Sequence, residues 1–142
     1  MSLLALESLE VSYGGIRAVK GIDLRVEQGE LVCLIGANGA GKTTTLRAIT
    51  GLARAAGGRI LYDGQDIGRL RVHEVARRGL ALVPEGRGIF AQLTIDENLA
   101  MGAYSRSDAA AVARDLEHAF TLFPRLKERR SQVAGTLSGG EQ

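Results

Sequence analysis

The residues Gly36-Ala-Asn-Gly-Ala-Gly-Lys-Thr43 fit the pattern G-x-x-x-x-G-K-[ST], a loop whose main chain cradles phosphate. Its context narrows the fold further. An apolar run, Glu30-Leu-Val-Cys-Leu-Ile35, precedes it and reads as a buried strand. The stretch Thr44 to Thr50 follows with helical character and stops at Gly51. A strand, a glycine turn and a helix start bring free backbone N–H groups together, and the helix dipole adds roughly half a positive charge. Gly36, Gly39 and Gly41 let the main chain approach an anion, while Ala37, Asn38, Ala40 and Thr44 complete the expected binding stretch. Lys42 is placed to reach terminal phosphates, and the Thr43 hydroxyl is an oxygen ligand suited to Mg²⁺. The glycine order is wrong for the dinucleotide fingerprint G-x-G-x-x-G.

The chain has 142 residues, room for one domain or part of a larger one. Apolar residues make up 45%, enough for a core. Eighteen basic residues face 16 acidic ones, so the net charge of +2 leaves no broad basic field. The densest basic stretch, Arg125 to Arg130, is broken by Leu126 and Glu128 and reads as a solvated helix face, not a nucleic-acid surface. The lone cysteine, Cys33, lies in the apolar run and is expected to be a small buried hydrophobe. No apolar stretch approaches the ~18 residues of a membrane span. The expected location is therefore cytoplasmic.

The first third reads as β structure. Leu3 to Tyr13 alternates loosely, Gly14-Gly15 makes a turn, and Gly21 to Val26 alternates well. Arg59 to Tyr62 is a short strand closed by Asp63-Gly64, and Val72 to Arg78 is helical. Leu80-Ala-Leu-Val83 reads as a short buried strand stopped by Pro84. From Thr94 the texture turns helical. Thr94-Ile-Asp-Glu97 is a capping box, Ser107-Asp108 opens a helix through Phe120, and Pro124 begins another. His118 has no metal-spaced companion and is read as a surface or satisfied core histidine.

The chain closes with Leu137-Ser-Gly-Gly-Glu-Gln142. Ser138 and Glu141 form an S-x-x-E box that starts a helix, and Gly139 and Gly140 leave main-chain N–H groups uncovered. As a unit this segment resembles the signature motif of the ATP-binding-cassette (ABC) ATPases. With the phosphate loop in register, the resemblance runs the whole length. It implies an α/β P-loop NTPase fold of the ABC type, incomplete here: an antiparallel β subdomain, a partial RecA-like core and a helical subdomain. The divisions expected are 1–92 for the β subdomain and phosphate-loop core, 93–136 for the helical subdomain, and 137–142 for the signature. It also implies ATP and Mg²⁺ as ligands, with Tyr13 stacked on adenine. Ser138, Gly139, Gly140, Glu141 and Gln142 would close over the ATP of a second subunit in a head-to-tail dimer. Integral membrane permease subunits are the further partners, which would place the subunit on the inner face of the membrane.

In one respect the chain departs from the family pattern. Where most members carry a glutamine that coordinates Mg²⁺ and touches the attacking water, this chain has Glu85, in Val83-Pro-Glu-Gly-Arg-Gly-Ile-Phe90. A carboxylate remains a hard oxygen ligand. This Pro-Glu-Gly-Arg segment, with Glu97-Asn-Leu-Ala-Met-Gly102, is similar to importers of branched-chain amino acids. The rival reading makes Leu80 to Val83 plus Glu85 the acidic metal-binding strand itself. The family's own acidic strand, catalytic Glu and switch His lie beyond the motifs present. The expectation is therefore that the native protein is longer and that these residues bind ATP–Mg without efficient hydrolysis. Lys42 and Glu85 are the catalytic candidates. The alternatives are a non-transport cassette acting on ribosomes or DNA, and a P-loop small-molecule kinase.

Overall fold

The computed structural model describes residues 2–142 and divides into two compact units, Met1–Leu82 and Val83–Gln142. In the first unit, strands β1 (Leu4–Tyr13) and β2 (Ile16–Val26) form an antiparallel hairpin over Gly14-Gly15, with Leu4 opposite Val26 and Tyr13 opposite Ile16. Strand β3 (Gly57–Tyr62) pairs with the other edge of β1, and β4 (Gln65–Asp66) completes the order β2-β1-β3-β4. Helix α1 (Lys42–Ile49) follows the glycine loop, and α2 is Val72–Arg77.

The loose alternation of β1 has a physical cause. Leu4 and Leu6 are buried, and strict alternation would put Ser8 inside next. Instead the register shifts between Leu6 and Leu9, and Ser8 takes a left-handed φ of 47° with its N–H donating to Asp23 Oδ1 at 2.8 Å. This bulge returns Leu9 and Val11 to the buried face. Both pack with Leu6, Val19, Ile60, Ile67 and Val75 in one core, to which α1 contributes Ala48 and Ile49.

Two expected strands are corrected. Glu30 to Ile35 and Leu80 to Val83 are not strands, and Leu31, Ile35 and Val83 are 89%, 94% and 83% exposed. An apolar run becomes a strand only when a neighbour supplies its ladder, and the four described strands pair among themselves. Cys33 is accordingly exposed, not buried.

The second unit is helical: α3 (Ile95–Gly102), α4 (Ala109–Leu122), α5 (Pro124–Glu128) and a 3₁₀ turn, Ala134–Thr136. Thr94 caps α3 as its sequence requires. The Thr94 N–H donates to Glu97 Oε2 at 2.7 Å, and the Glu97 N–H returns to Thr94 Oγ1 at 3.2 Å. Ile95, Phe120 and Ala134 are buried, and the Arg130 guanidinium lies 5.5 Å from the Phe120 ring while donating to Asp96 Oδ2 at 2.7 Å. Asn98 binds both main-chain groups of Phe90, accepting from its N–H at 2.8 Å and donating to its carbonyl at 3.0 Å.

Candidate nucleotide site and signature segment

In the first unit, α1 begins at the glycine loop, and its start is built for an anion. Gly41 caps it with φ of 91°; a Cβ there would lie 2.6 Å from the Ala18 carbonyl oxygen. A Cβ on Gly36 would meet that of Ala40 at 3.0 Å. The turn thus fits only a chain stripped of side chains at these positions. Among the described residues, no backbone acceptor meets the N–H groups of Lys42, Thr43 or Thr44, and no acidic residue occupies the first turn of α1. Thr45 turns inward, and its hydroxyl donates to the Gly41 carbonyl at 2.9 Å, fixing the helix to its cap.

Lys42 folds back over the loop. Its Nζ donates to the carbonyls of Gly36 at 2.6 Å and Ala37 at 2.8 Å, which draws the loop into a ring. An ammonium has three donors, so one stays available to an incoming phosphate. Orphan amides, a turn with glycine at Gly36, Gly39 and Gly41, and one free cationic donor fit a nucleotide's phosphates. Tyr13, at the end of β1, is 47% exposed.

In the second unit, Glu85 is exposed on a turn in which the Arg87 N–H donates to the Pro84 carbonyl at 3.2 Å. The carboxylate of Glu85 and the hydroxyl of Thr43 are the oxygen donors that Mg²⁺ prefers. Among the described residues, no group of three or more His, Cys, Asp or Glu side chains gathers into a metal centre.

The signature segment, also in the second unit, forms its turn around Ser138. The Ser138 N–H donates to Glu141 Oε2 at 3.0 Å, and the Ser138 carbonyl accepts from the N–H groups of Glu141 at 3.0 Å and Gln142 at 3.2 Å. The Glu141 carboxylate also faces Arg129 at 3.2 Å and Arg125 at 3.7 Å. The Ser138 N–H first, with help from these guanidiniums, holds its carboxyl below the usual range.

The basic run from Arg125 is therefore more than a solvated face: Arg125 and Arg129 meet Glu141, Arg130 meets Asp96, and Lys127 meets Glu117. Sequence reasoning missed this pairing, because the partners lie on other turns of the chain. It also missed Arg87, whose Nη1 donates to Gln142 Oε1 at 3.3 Å. The only sequence sign was an arginine set between Gly86 and Gly88.

A glycine loop at a helix start, beside a β hairpin, defines a phosphate-binding α/β domain. The family model described as "ABC transporter" matches residues 19–142. The chain belongs to that family. It is 44% identical to the high-affinity branched-chain amino acid transport ATP-binding protein BraG of Pseudomonas aeruginosa, over 99% of this chain and 60% of that one. It is 36% identical to the lipopolysaccharide export ATP-binding protein LptB of Escherichia coli strain K12, over all of this chain and 59% of the relative. A solved ATP-binding subunit of an ABC transporter superposes with a TM-score of 0.83 at 33% identity, over 98% of this chain and 57% of its own. An ATP-binding cassette in its ADP conformation gives 0.78 at 27% identity, over 99% and 61%. The chain thus spans about 60% of the length of BraG and LptB.

Proposed function

We propose that this chain is the nucleotide-binding part of an ABC-type ATPase subunit that drives import of a small solute. The observation that carries the reading is the Gly36–Thr43 loop, where amides without backbone acceptors and Lys42 meet on a turn with no room for a side chain at Gly41. In this reading Gly36, Ala37, Asn38, Gly39, Ala40, Gly41 and Thr44 supply main chain to the triphosphate of ATP. Lys42 offsets charge on the terminal phosphate, and Tyr13 offers its ring to adenine. Thr43 and Glu85 would hold Mg²⁺, which when bound neutralises charge on the phosphoryl oxygens. Glu85 would orient the attacking water.

Ser138, Gly139, Gly140, Glu141 and Gln142 serve a second subunit's nucleotide in a head-to-tail dimer. The helical segment 93–136 passes closure to integral membrane permeases. These partners place the subunit at the inner face of the membrane, and nucleic acid has no part. No described helix is long and apolar enough to cross a membrane, which fits attachment through partners. Branched-chain amino acids are the proposed cargo, because likeness to BraG, at 44%, exceeds that to the LptB proteins, at 36% to 39%.

Calorimetry with ATP and Mg²⁺ tests the nucleotide reading. Saturable heat that Lys42→Ala diminishes supports it, and an absence of heat from folded protein rejects it. Radiolabelled leucine uptake in cells dependent on the complete subunit tests the cargo: uptake unaffected by its removal assigns the solute elsewhere.

A further inference from the structure

We propose that Arg87 is a positioning residue that clamps the signature segment and couples it to the turn carrying Glu85. The inference rests on the proposed role of the signature at a second subunit's nucleotide. Gly86, Arg87 and Gly88 run consecutively through positive φ, at 85°, 71° and 69°. Glycine takes that conformation freely; arginine does so under strain, and such strain concentrates where a side chain has a task.

Here the task is visible. The guanidinium donates through Nη1 to Gln142 Oε1 at 3.3 Å. Its Nη2 sits 2.8 Å from where a Cβ on Gly139 would stand, so the absent side chain at Gly139 is what admits it. Gln142 in turn donates through Nε2 to the Leu137 carbonyl at 3.1 Å, closing the turn from its other side. Arg87 thus lies over Gly139 and is tied by one hydrogen bond to Gln142.

The near end of the clamp is equally constrained. A Cβ on Gly88 would meet Pro84 Cγ at 2.8 Å, and the Arg87 N–H already binds the Pro84 carbonyl. Among the described residues no carboxylate pairs with Arg87. Its guanidinium is therefore left to the side-chain amide of Gln142 and to the open space over Gly139, where a planar head fits better than a lysine's ammonium would. One residue, Gly86, separates Arg87 from Glu85, so a displacement of either segment is transmitted to the other.

The test uses the complete subunit and compares the parent with Arg87→Gly, which suits the positive φ, and with Arg87→Lys. Two quantities are read: ADP–Mg²⁺ affinity, which needs only the phosphate loop, and dimerisation driven by a non-hydrolysable ATP analogue, followed by sedimentation. Arg87→Gly should keep ADP affinity within about twofold and melt no lower than the parent. It should require at least tenfold more analogue to dimerise, with Arg87→Lys in between. Dimerisation of Arg87→Gly at the parent's analogue concentration overturns the inference. If Arg87→Gly does not fold, the same criterion passes to Arg87→Lys. A parent that binds ADP yet never dimerises overturns the head-to-tail reading, and this inference with it.

Discussion

Lys42 spends two donors on its own loop, so its removal should act twice, by opening the ring at Gly36 and by withdrawing a cation from the phosphates. A charge-assisted contact is worth roughly 1.5–3 kcal/mol, and Lys42→Ala should weaken ATP binding about tenfold to a hundredfold. Titration calorimetry on matched samples checks this, and equal affinities refute the role. Gly41→Ala forces a methyl to 2.6 Å from the Ala18 oxygen at a φ of 91°. Strain of about 1–3 kcal/mol is expected from the backbone alone, read as a lowered melting temperature. Both residues were legible in the sequence, since the loop pattern prescribes residue types at fixed spacing. Arg87 was not, because its partners Gly139 and Gln142 lie far along the chain.

The elements read well wherever their signals are local. Thr94-x-x-Glu97, Pro124 at the start of α5 and the Gly14-Gly15 turn each announce a boundary within a few residues. Thr94→Ala should destabilise α3 by about 1 kcal/mol, measured by denaturant titration. The pH response of α3 follows from Glu97, whose carboxyl is held below its usual value chiefly by the Thr94 N–H and then by the Thr94 hydroxyl. The folded value lies below the unfolded one, so this stabilisation is complete above about pH 4.5 and fades as pH falls through the folded value. Parent and Glu97→Gln should differ at pH 7 and draw together as acid protonates Glu97; a gap that does not narrow as the pH falls contradicts the assignment. Glu30 to Ile35 and Leu80 to Val83 misled because strand pairing is non-local: apolar spacing shows what is sticky, not what it sticks to.

At the scale of the whole molecule, the chain carries an antiparallel sheet with a phosphate loop in one unit and helices with a signature in the other. Leu31 and Ile35 lie almost fully exposed in the first. Apolar exposure on this scale favours contact with ligands or other chains. The 142-residue chain should therefore enhance the fluorescence of anilinonaphthalene sulfonate, and Leu31→Ser with Ile35→Ser should reduce that signal markedly. An unchanged signal would show the apolar residues to be covered in solution.

The surplus residue at Ser8 has a consequence for alignment. Because the ladders on both sides of β1 shift register at this kink, a slide of β2 or β3 by one position would turn Val19 or Ile60 out of the core. The hairpin behaves like a key cut for one lock. Its far end presents Tyr13, and its second strand sets the Ala18 oxygen against Gly41. A kink early in the first strand thereby bears on where the phosphate loop stands.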